Sequence, residues 1–137
     1  MVLLDTSVAL DWVDRDHQFH PVVDARLAGH RLGLAGHAAI ETYSVLTRQQ
    51  PPKRLAASAA QRLIAAEFPA TRPLLSESVS SLLAQFAAAG VAGGAVYDGL
   101  IATAAKEAGL LLVSCDARAA ATYRALGVKF ELVGPLR

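Results

Sequence analysis

Short apolar runs alternate with helix-forming segments along the whole chain, and this alternation limits the possible folds more than any other feature of the sequence. The clearest run, residues 110–113, is apolar throughout and lies between Gly109 and Asp116, as is typical of a strand buried on both faces. Further short strands are predicted at residues 2–4, 31–35, 74–75 and 129–133. This order of segments predicts an α/β fold with a central, mostly parallel sheet flanked by helices.

Helices are predicted between these strands from capping residues, apolar spacing and helix breakers. The first begins among Asp5, Thr6 and Ser7, and the second, residues 21–28, has Pro21 in its first turn. The other helices are predicted at residues 38–48, 55–68, 96–108 and 117–126, with one more that is capped by Ser76 or Ser78 and ends before Gly90. The buried face of that last helix is predicted to carry Val79, Leu82, Leu83 and Phe86.

The composition favours one domain over residues 1–137. Hydrophobic residues make up 53% of the chain and charged residues 18%, so there is enough apolar material for a sizeable core. The longest apolar stretch, residues 84–96, is interrupted by Gln85 and three glycines and predicts no membrane span. No secretion signal is expected at the N-terminus, and the single cysteine, Cys115, fits a reducing compartment, so we expect a cytoplasmic protein.

Four acidic residues lie where a parallel sheet gathers its ligands. Asp5 and Asp116 follow predicted strands, whose carboxyl ends meet at one edge of such a sheet. Asp98 falls near the start of a helix, where unpaired amide groups favour a carboxylate, and Glu41 lies in a helix that follows a strand. Each acid also has an ordinary alternative role, as a helix cap, a partner of the helix dipole or a solvated side chain. Together, beside apolar runs where an unpaired charge is costly, they indicate a cation site.

The segments that carry these acids resemble the PIN-domain family, and in particular the small PIN-domain toxins of VapBC-type toxin–antitoxin pairs. The segments are LLDTSVAL (3–10), AAIETYSVLTR (38–48), VYDGLIATAA (96–105) and LLVSCD (111–116). Their order and spacing extend the resemblance over essentially the whole chain. It implies a PIN-like fold and a magnesium-dependent endoribonuclease whose catalytic metal site consists of Asp5, Glu41, Asp98 and Asp116.

Four further residues are candidates for supporting roles. Thr6 and Ser114 match family positions where a hydroxyl supports the acids or a water, although a helix cap and a plain strand-end serine are equally good local explanations. Arg48 and Arg118 lie beside acid-bearing segments and are candidates for binding RNA, or alternatively structural partners of the nearby acids. Residues 117–119 are Ala-Arg-Ala, where the family often carries another polar or acidic residue, so the number of ions stays open.

Magnesium is the predicted cofactor, with manganese as a substitute, because carboxylates without histidine or cysteine suit a hard cation. Asp5 and Asp98 are the first candidates for direct ligands. Asp116 and Glu41 would act through water, on a second ion, or in deprotonating the nucleophile. The four histidines show no metal-ligand spacing and are interpreted as surface or helix-end residues, which argues against zinc. Cys115 is interpreted as a small strand-end residue rather than a nucleophile.

The charge balance bears on the partners. A net charge of +1 is low for a protein that binds nucleic acid, but it becomes +5 once four carboxylates are assigned to a cation site. Single-stranded or loop RNA, held through its phosphates, would reach a recessed metal most readily. The family resemblance implies a VapB-like antitoxin and a homodimer. The candidates for an exposed groove are Trp12, Val13, Phe19 and Tyr43, with core packing as the alternative.

Two other functions also place acids on a parallel sheet. A phosphatase of the haloacid-dehalogenase type would have Asp-x-Asp after the first strand, whereas this chain has Asp5, Thr6 and Ser7. A PIN-like module that binds RNA or protein without catalysis would lack some of the acids, and all four are present. The sequence therefore favours the nuclease.

Overall fold

The computed structural model describes residues 1–75 and 79–134, and its strands form one parallel sheet. The strands are β1 (Val2–Leu4), β2 (Leu32–Leu34), β3 (Leu112–Ser114) and β4 (Phe130–Leu132), in the order β2-β1-β3-β4. Leu4 is aligned with Leu34 on one side and with Val113 on the other, and β3 pairs with β4 in the same direction. The predicted α/β fold with a central parallel sheet is confirmed.

Helices connect these strands, because parallel neighbours need long crossover connections. In the described ranges they are α1 (Thr6–Val13), α2 (His20–Leu27), α3 (His37–Arg48), α4 (Ala57–Glu67), α5 (Val79–Ala89), α6 (Ala95–Ala108) and α7 (Ala120–Ala125). Helix α7 begins three residues later than predicted, since residues 117–119 form a turn. The predicted caps of α5, Ser76 and Ser78, lie outside the described residues. Each helix in the described part of the chain is too short or too polar to cross a membrane.

The strand predicted at residues 74–75 is wrong. The chain does run beside the outer edge of β2, but earlier: Arg72 N donates to Leu34 O (3.0 Å) and Arg72 forms a parallel bridge with Ala35. Beyond this point β2 has ended and α3 begins, and Pro73 has no N–H to donate. Residues 74–75 therefore have no regular secondary structure.

Helix α5 buries a narrower face than predicted. Leu82 and Phe86 are buried and form a second apolar cluster with Val91. Val79 and Leu83, predicted for the same face, are exposed. Residues four apart on a helix lie above one another, so these pairs form two neighbouring rows, and the protein covers the row of Leu82 and Phe86.

The main core lies between the sheet and its helices. Three strands contribute fully buried side chains to it: Leu3, Leu4, Leu34, Leu112 and Val113. Tyr123 of α7 is also fully buried and is the bulkiest side chain in that class. Strands buried on both faces are typical of parallel sheets covered by helices. Because these strands are packed on all sides, the residues that follow β1 and β3 are held in fixed positions.

The close approach of residue 33 to the neighbouring chain yields a stability prediction. A Cβ at Gly33 would lie 2.2 Å from the carbonyl carbon of Ala70. Moving that backbone would break the hydrogen bond from Ala70 N to Leu32 O (2.9 Å). We expect Gly33→Ala to lower the free energy of unfolding by about 3 kcal/mol or more, measured by urea denaturation.

Gly94→Ala is the matched control for this variant. Nothing lies within 4 Å of a Cβ at Gly94, and the change in the free energy of unfolding should stay below about 1 kcal/mol. Equal losses in the two variants would contradict the close packing of residue 33.

Candidate active site

Four carboxylates meet at the carboxyl edge of the sheet. Asp5 follows β1 directly and Asp116 comes two residues after β3, and because these strands are parallel neighbours, both acids lie at the same edge. Helices α3 and α6 bring Glu41 and Asp98 to this place. The result is a small cleft of about 80 Å³, lined by Asp5, Thr6, Ser7, Glu41, Asp98, Ile101 and Asp116. The structure thus brings all four predicted acids together.

Asp5 is the most deeply buried of the four acids, with 3% of its surface exposed. Its Oδ1 accepts hydrogen bonds from Ser7 Oγ (2.5 Å) and from Val8 N (3.3 Å), and the second of these makes Asp5 the N-cap of α1. Its Oδ2 accepts a bond from the Tyr123 hydroxyl (2.8 Å). Asp5 is therefore a helix cap and a cleft residue at once.

Burial raises the pKa of the Asp5 carboxyl, because removing a carboxylate from water penalises its charged form. Hydrogen bonds from Ser114, Ser7, Tyr123 and a backbone N–H oppose this effect by stabilising the charge. Ser7 Oγ also accepts a bond from Cys115 N (2.9 Å), which ties the end of β3 to the start of α1. Ser114, predicted as a supporting residue, thus lies within hydrogen-bonding reach of this acid.

Glu41 is held by two neighbours. Thr6 Oγ1, the other predicted supporting hydroxyl, donates to Glu41 Oε2 (2.7 Å). His37 lies one helical turn earlier on α3, with its Nε2 3.3 Å from Glu41 Oε1. The two contacts restrict the position of this carboxylate, which lines the cleft.

Asp98 lies in the first turn of α6, where the unpaired amide groups of the helix start favour a carboxylate. The other surroundings of Asp98 disfavour the charged form of its carboxyl. Desolvation, followed by the charges of Asp116, Asp5 and Glu41, raises the pKa of the Asp98 carboxyl to about 6. The four acids are therefore close enough to repel one another, and a positive charge in the cleft would relieve that repulsion.

Asp116 occupies the loop between β3 and α7. Its Oδ1 accepts a hydrogen bond from Arg118 N (2.9 Å), and its own N–H donates to Ser114 Oγ (3.0 Å). The N-cap of α7 is Ala119, so the helix-cap alternative for Asp116 is wrong. Arg118 Nε lies 3.6 Å from Asp116 Oδ1, and the Arg118 side chain is 89% exposed. Such an exposed ion pair is weak.

Arg48 lies apart from the cleft. It is the last residue of α3 and its Nη1 donates to Ser44 Oγ (2.7 Å). Seven residues separate it from Glu41, which corresponds to about 10 Å along the helix axis. The structure therefore separates this predicted RNA-binding residue from the acids.

The residues predicted to line an exposed groove have different environments. Trp12 and Val13 are partly buried against the core, as the core-packing alternative expects. Trp12 Nε1 donates to Glu67 Oε2 (3.1 Å), and a cavity of about 360 Å³ lies beside these residues. Phe19 is also partly buried, whereas Tyr43 is exposed.

The donors of the cleft suit a hard divalent cation, because they are carboxylate and hydroxyl oxygens. Within residues 1–75 and 79–134, no three His, Cys, Asp or Glu side chains are close enough to hold a metal ion together. The four carboxylates thus line one cleft without forming a complete metal site. Asp5 is hydrogen-bonded to Ser7 and Tyr123, and Glu41 to Thr6. Glu41 Oε2 accepts a hydrogen bond from Thr6 and keeps a further lone pair for a ligand.

Cys115 contributes its backbone rather than its thiol. The residue is buried, and desolvation together with the Asp5 charge raises the pKa of the thiol to about 11. A thiol that stays protonated at neutral pH is neither a good nucleophile nor a zinc ligand. The buried position agrees with the interpretation of Cys115 as a small strand-end residue.

Three residues that the sequence analysis does not assign to the site contact its acids. Ser7 is two residues from Asp5, a spacing that could have identified it. His37 precedes Glu41 by four residues on a predicted helix, which is also a usable signal. Tyr123 lies 118 residues from Asp5 along the chain, and no local pattern predicts that contact.

Comparison with known proteins gives a family and close relatives. Residues 2–125 match the PIN domain. Ribonuclease VapC27 of Mycobacterium tuberculosis (strain ATCC 25618 / H37Rv) is 45% identical over 130 residues, which are 91% of each chain. Ribonuclease VapC40 of Mycobacterium tuberculosis (strain CDC 1551 / Oshkosh) is 38% identical over 135 residues, which are 97% of this chain and 99% of the relative.

Two solved structures resemble the fold. The structure of FitAB bound to an IR36 DNA fragment superposes with a TM-score of 0.70 at 22% identity, covering 96% of this chain and 94% of the other. The crystal structure of FitAcB from Neisseria gonorrhoeae has a TM-score of 0.68 at 22% identity, covering 95% and 96%. At this level of identity the similarity concerns the fold alone.

The bond between Tyr123 and Asp5 should be important for stability. Tyr123→Phe keeps the buried ring but removes one donor from a carboxylate that stays buried, so the free energy of unfolding should fall by about 1–3 kcal/mol in urea denaturation. Tyr43→Phe, at an exposed tyrosine, is the control and should change it by less than about 0.5 kcal/mol. A Tyr123→Phe protein as stable as wild type would contradict this role.

Asp98→Asn should stabilise the protein above about pH 6 when divalent cations are chelated. The pKa of this carboxyl is 3.8 in ordinary surroundings and about 6 in the folded protein. Between these values the folded state keeps a proton that the unfolded chain has lost, so stability falls as pH rises and stays low above the folded pKa. Asparagine carries no charge and avoids this loss.

Thermal unfolding of wild type and Asp98→Asn measures the effect. The variant should unfold at a higher temperature near pH 8 and at a similar temperature near pH 4. Asp24→Asn, at an exposed position of α2, should match wild type at both. If the unfolding temperature of Asp98→Asn near pH 8 is no higher than that of wild type, the repulsion between Asp98 and the other acids is negligible.

Proposed function

This chain belongs to the PIN-domain family, and we propose that it is a metal-dependent endoribonuclease that acts as the toxin of a toxin–antitoxin pair. The expected PIN-like fold is confirmed, and the relatives at 38% and 45% identity are both named VapC ribonucleases. The observation that carries the proposal is the cleft in which Asp5, Glu41, Asp98 and Asp116 meet.

The proposed cofactor is magnesium, with manganese as a substitute. Asp5 and Asp98 are proposed as direct ligands, because burial raises the pKa of both carboxyls and a cation would stabilise their charged forms. Asp116 and Glu41 would act through water or on a second ion. When bound, the ion supplies positive charge for the phosphate oxygens and lowers the pKa of the attacking water.

The residues of the cleft orient the reacting groups. Tyr123 and Ser7 each donate to a different oxygen of Asp5, so its carboxylate keeps one orientation. Hydrolysis forms a bond from the water oxygen to phosphorus and breaks the bond to the leaving oxygen. The attacking water gives up a proton, and the leaving oxygen takes up a proton from solvent. Glu41 is the proposed acceptor of the proton from the attacking water, since Thr6 fixes its Oε2 and His37 lies 3.3 Å from its Oε1.

Single-stranded or loop RNA is the proposed substrate, because its backbone can bend into a small recessed cleft. Arg118 is the proposed phosphate contact, since it lies beside Asp116 with its side chain largely in solvent. Arg48 could contact only a distant part of the strand, at the far end of α3. The formal net charge of +1 adds little long-range attraction.

A VapB-like antitoxin and a second copy of the chain are the proposed partners. Exposed apolar side chains on the helices, among them Ile40 and Leu83, offer surface for such contacts. We place the reaction in the cytoplasm, where a single free thiol such as Cys115 is stable. One sheet and one main core support the proposal that the chain acts as a single PIN domain.

Asp5→Asn tests the proposed chemistry. The variant keeps the shape of the side chain but loses the charge of the best-fixed proposed ligand. Cleavage of a mixed RNA pool with magnesium should fall by at least about a hundredfold, while circular dichroism at the assay temperature shows that the variant is folded. Wild type in the presence of chelator should be equally inactive.

Asp24→Asn, exposed on α2, controls for the general loss of an acid and should cleave at the wild-type rate. A folded Asp5→Asn protein that cleaves as fast as wild type would remove Asp5 from the mechanism. Wild-type cleavage that persists in chelator would exclude the metal.

A further inference from the structure

Tyr97 places an aromatic ring at the surface beside the acidic cleft. The residue is 54% exposed and directly precedes Asp98 on α6. Consecutive residues of a helix point about 100° apart, so the ring lies next to the cleft rather than inside it. An exposed tyrosine adjacent to a buried site is a candidate for contacting whatever enters that site.

His37 covers one face of the Tyr97 ring. The two rings are stacked, with centroids 5.3 Å apart and planes at 25°. His37 is itself fixed through its contact with Glu41. Since one face of Tyr97 lies against His37 and the residue is still half exposed, its other face is turned to solvent. The Tyr97–His37 stack therefore presents a flat apolar surface at a fixed position relative to two of the four acids.

The charges of the cleft favour a contact with RNA that does not depend on charge. Without a bound cation the four carboxylates repel a phosphodiester, and Arg118 offers a single exposed guanidinium beside Asp116. With a formal net charge of +1, long-range attraction adds little to the affinity for RNA. Unpaired bases of single-stranded RNA gain binding energy by stacking on aromatic side chains, and this energy does not depend on charge.

An apolar groove continues from the stack on the side of α3. It has a volume of about 430 Å³ and is lined by His37 together with Gly36, Ala39, Ile40, Pro73, Leu74 and Leu100. Thr71 and Arg72 complete the lining. Such a surface suits a base or a sugar better than a phosphate, so the strand can continue along it once a base rests on Tyr97.

We infer that the Tyr97–His37 stack is a binding site for one unpaired nucleobase, which positions the neighbouring phosphodiester over the acidic cleft. Tyr97 is a positioning residue in this arrangement. The inference rests on the proposed ribonuclease function and adds how the RNA strand is held. It adds base stacking to the phosphate contact proposed for Arg118.

Three substitutions at Tyr97 test the inference in the full-length protein. Tyr97→Ala and Tyr97→Leu remove the flat ring, and Tyr97→Phe keeps it. Steady-state cleavage of a short single-stranded RNA should show KM raised by about 5- to 150-fold for alanine and leucine, with kcat nearly unchanged. Phenylalanine should keep the wild-type KM. Tyr43→Ala is the control. Tyr43 is an exposed tyrosine on a different helix, α3, and this variant should also behave like wild type.

A second readout reports stacking directly. Fluorescence of 2-aminopurine in the same RNA should be quenched by Asp5→Asn protein with Tyr97 or with Tyr97→Phe, and much less with Tyr97→Ala. A wild-type KM for Tyr97→Ala, in a protein that still cleaves, would overturn the stack but leave the nuclease intact. A wild-type KM with lost inhibition by an antitoxin would assign Tyr97 to a protein contact instead. Failure of wild type to cleave any RNA would overturn both proposals.

Discussion

The structure depends on accommodating one carboxylate, that of Asp5, inside the protein at the end of the central strand β1. Its burial would be costly without partners, and hydrogen bonds from Ser7, Ser114 and Tyr123 offset that cost. These donors come from the start of α1, the end of β3 and the middle of α7. The hydrogen bonds that stabilise the Asp5 charge therefore also fix α1, β3 and α7 relative to one another. The packing of these elements and the geometry of the cleft depend on the same contacts.

The charges of the other three acids lower the stability of the folded protein. Like charges crowd around Asp98 and, with desolvation, raise the pKa of its carboxyl to about 6. A protein selected only for stability would place neutral residues there. Repulsion of this kind, concentrated in one concave place, is typical of functional sites, where a bound cation or substrate supplies the missing charge.

The sequence predicts the parts of this protein that depend on local pattern. Apolar runs and caps locate the strands and most helix ends, and the four acids follow from their positions after strands and at helix starts. Contacts between segments that are distant in sequence cannot be predicted from local pattern. Examples are the hydrogen bond between Tyr123 and Asp5 and the choice of which row of α5 side chains is buried. The strand predicted at residues 74–75 fails for a similar reason, because pairing depends on where β2 ends rather than on the apolar pair itself.

Both edges of the sheet are obstructed. Beside β2, the segment 70–72 occupies the hydrogen-bonding groups of Leu32 and Leu34, and its extension is blocked by Pro73. On β4, Arg26 of α2 binds both carboxylate oxygens of Glu131, which places a charged pair along that short edge strand. A covered edge and a charged pair on a short edge strand are both features that disfavour strand addition, and with it growth of the sheet into fibrils.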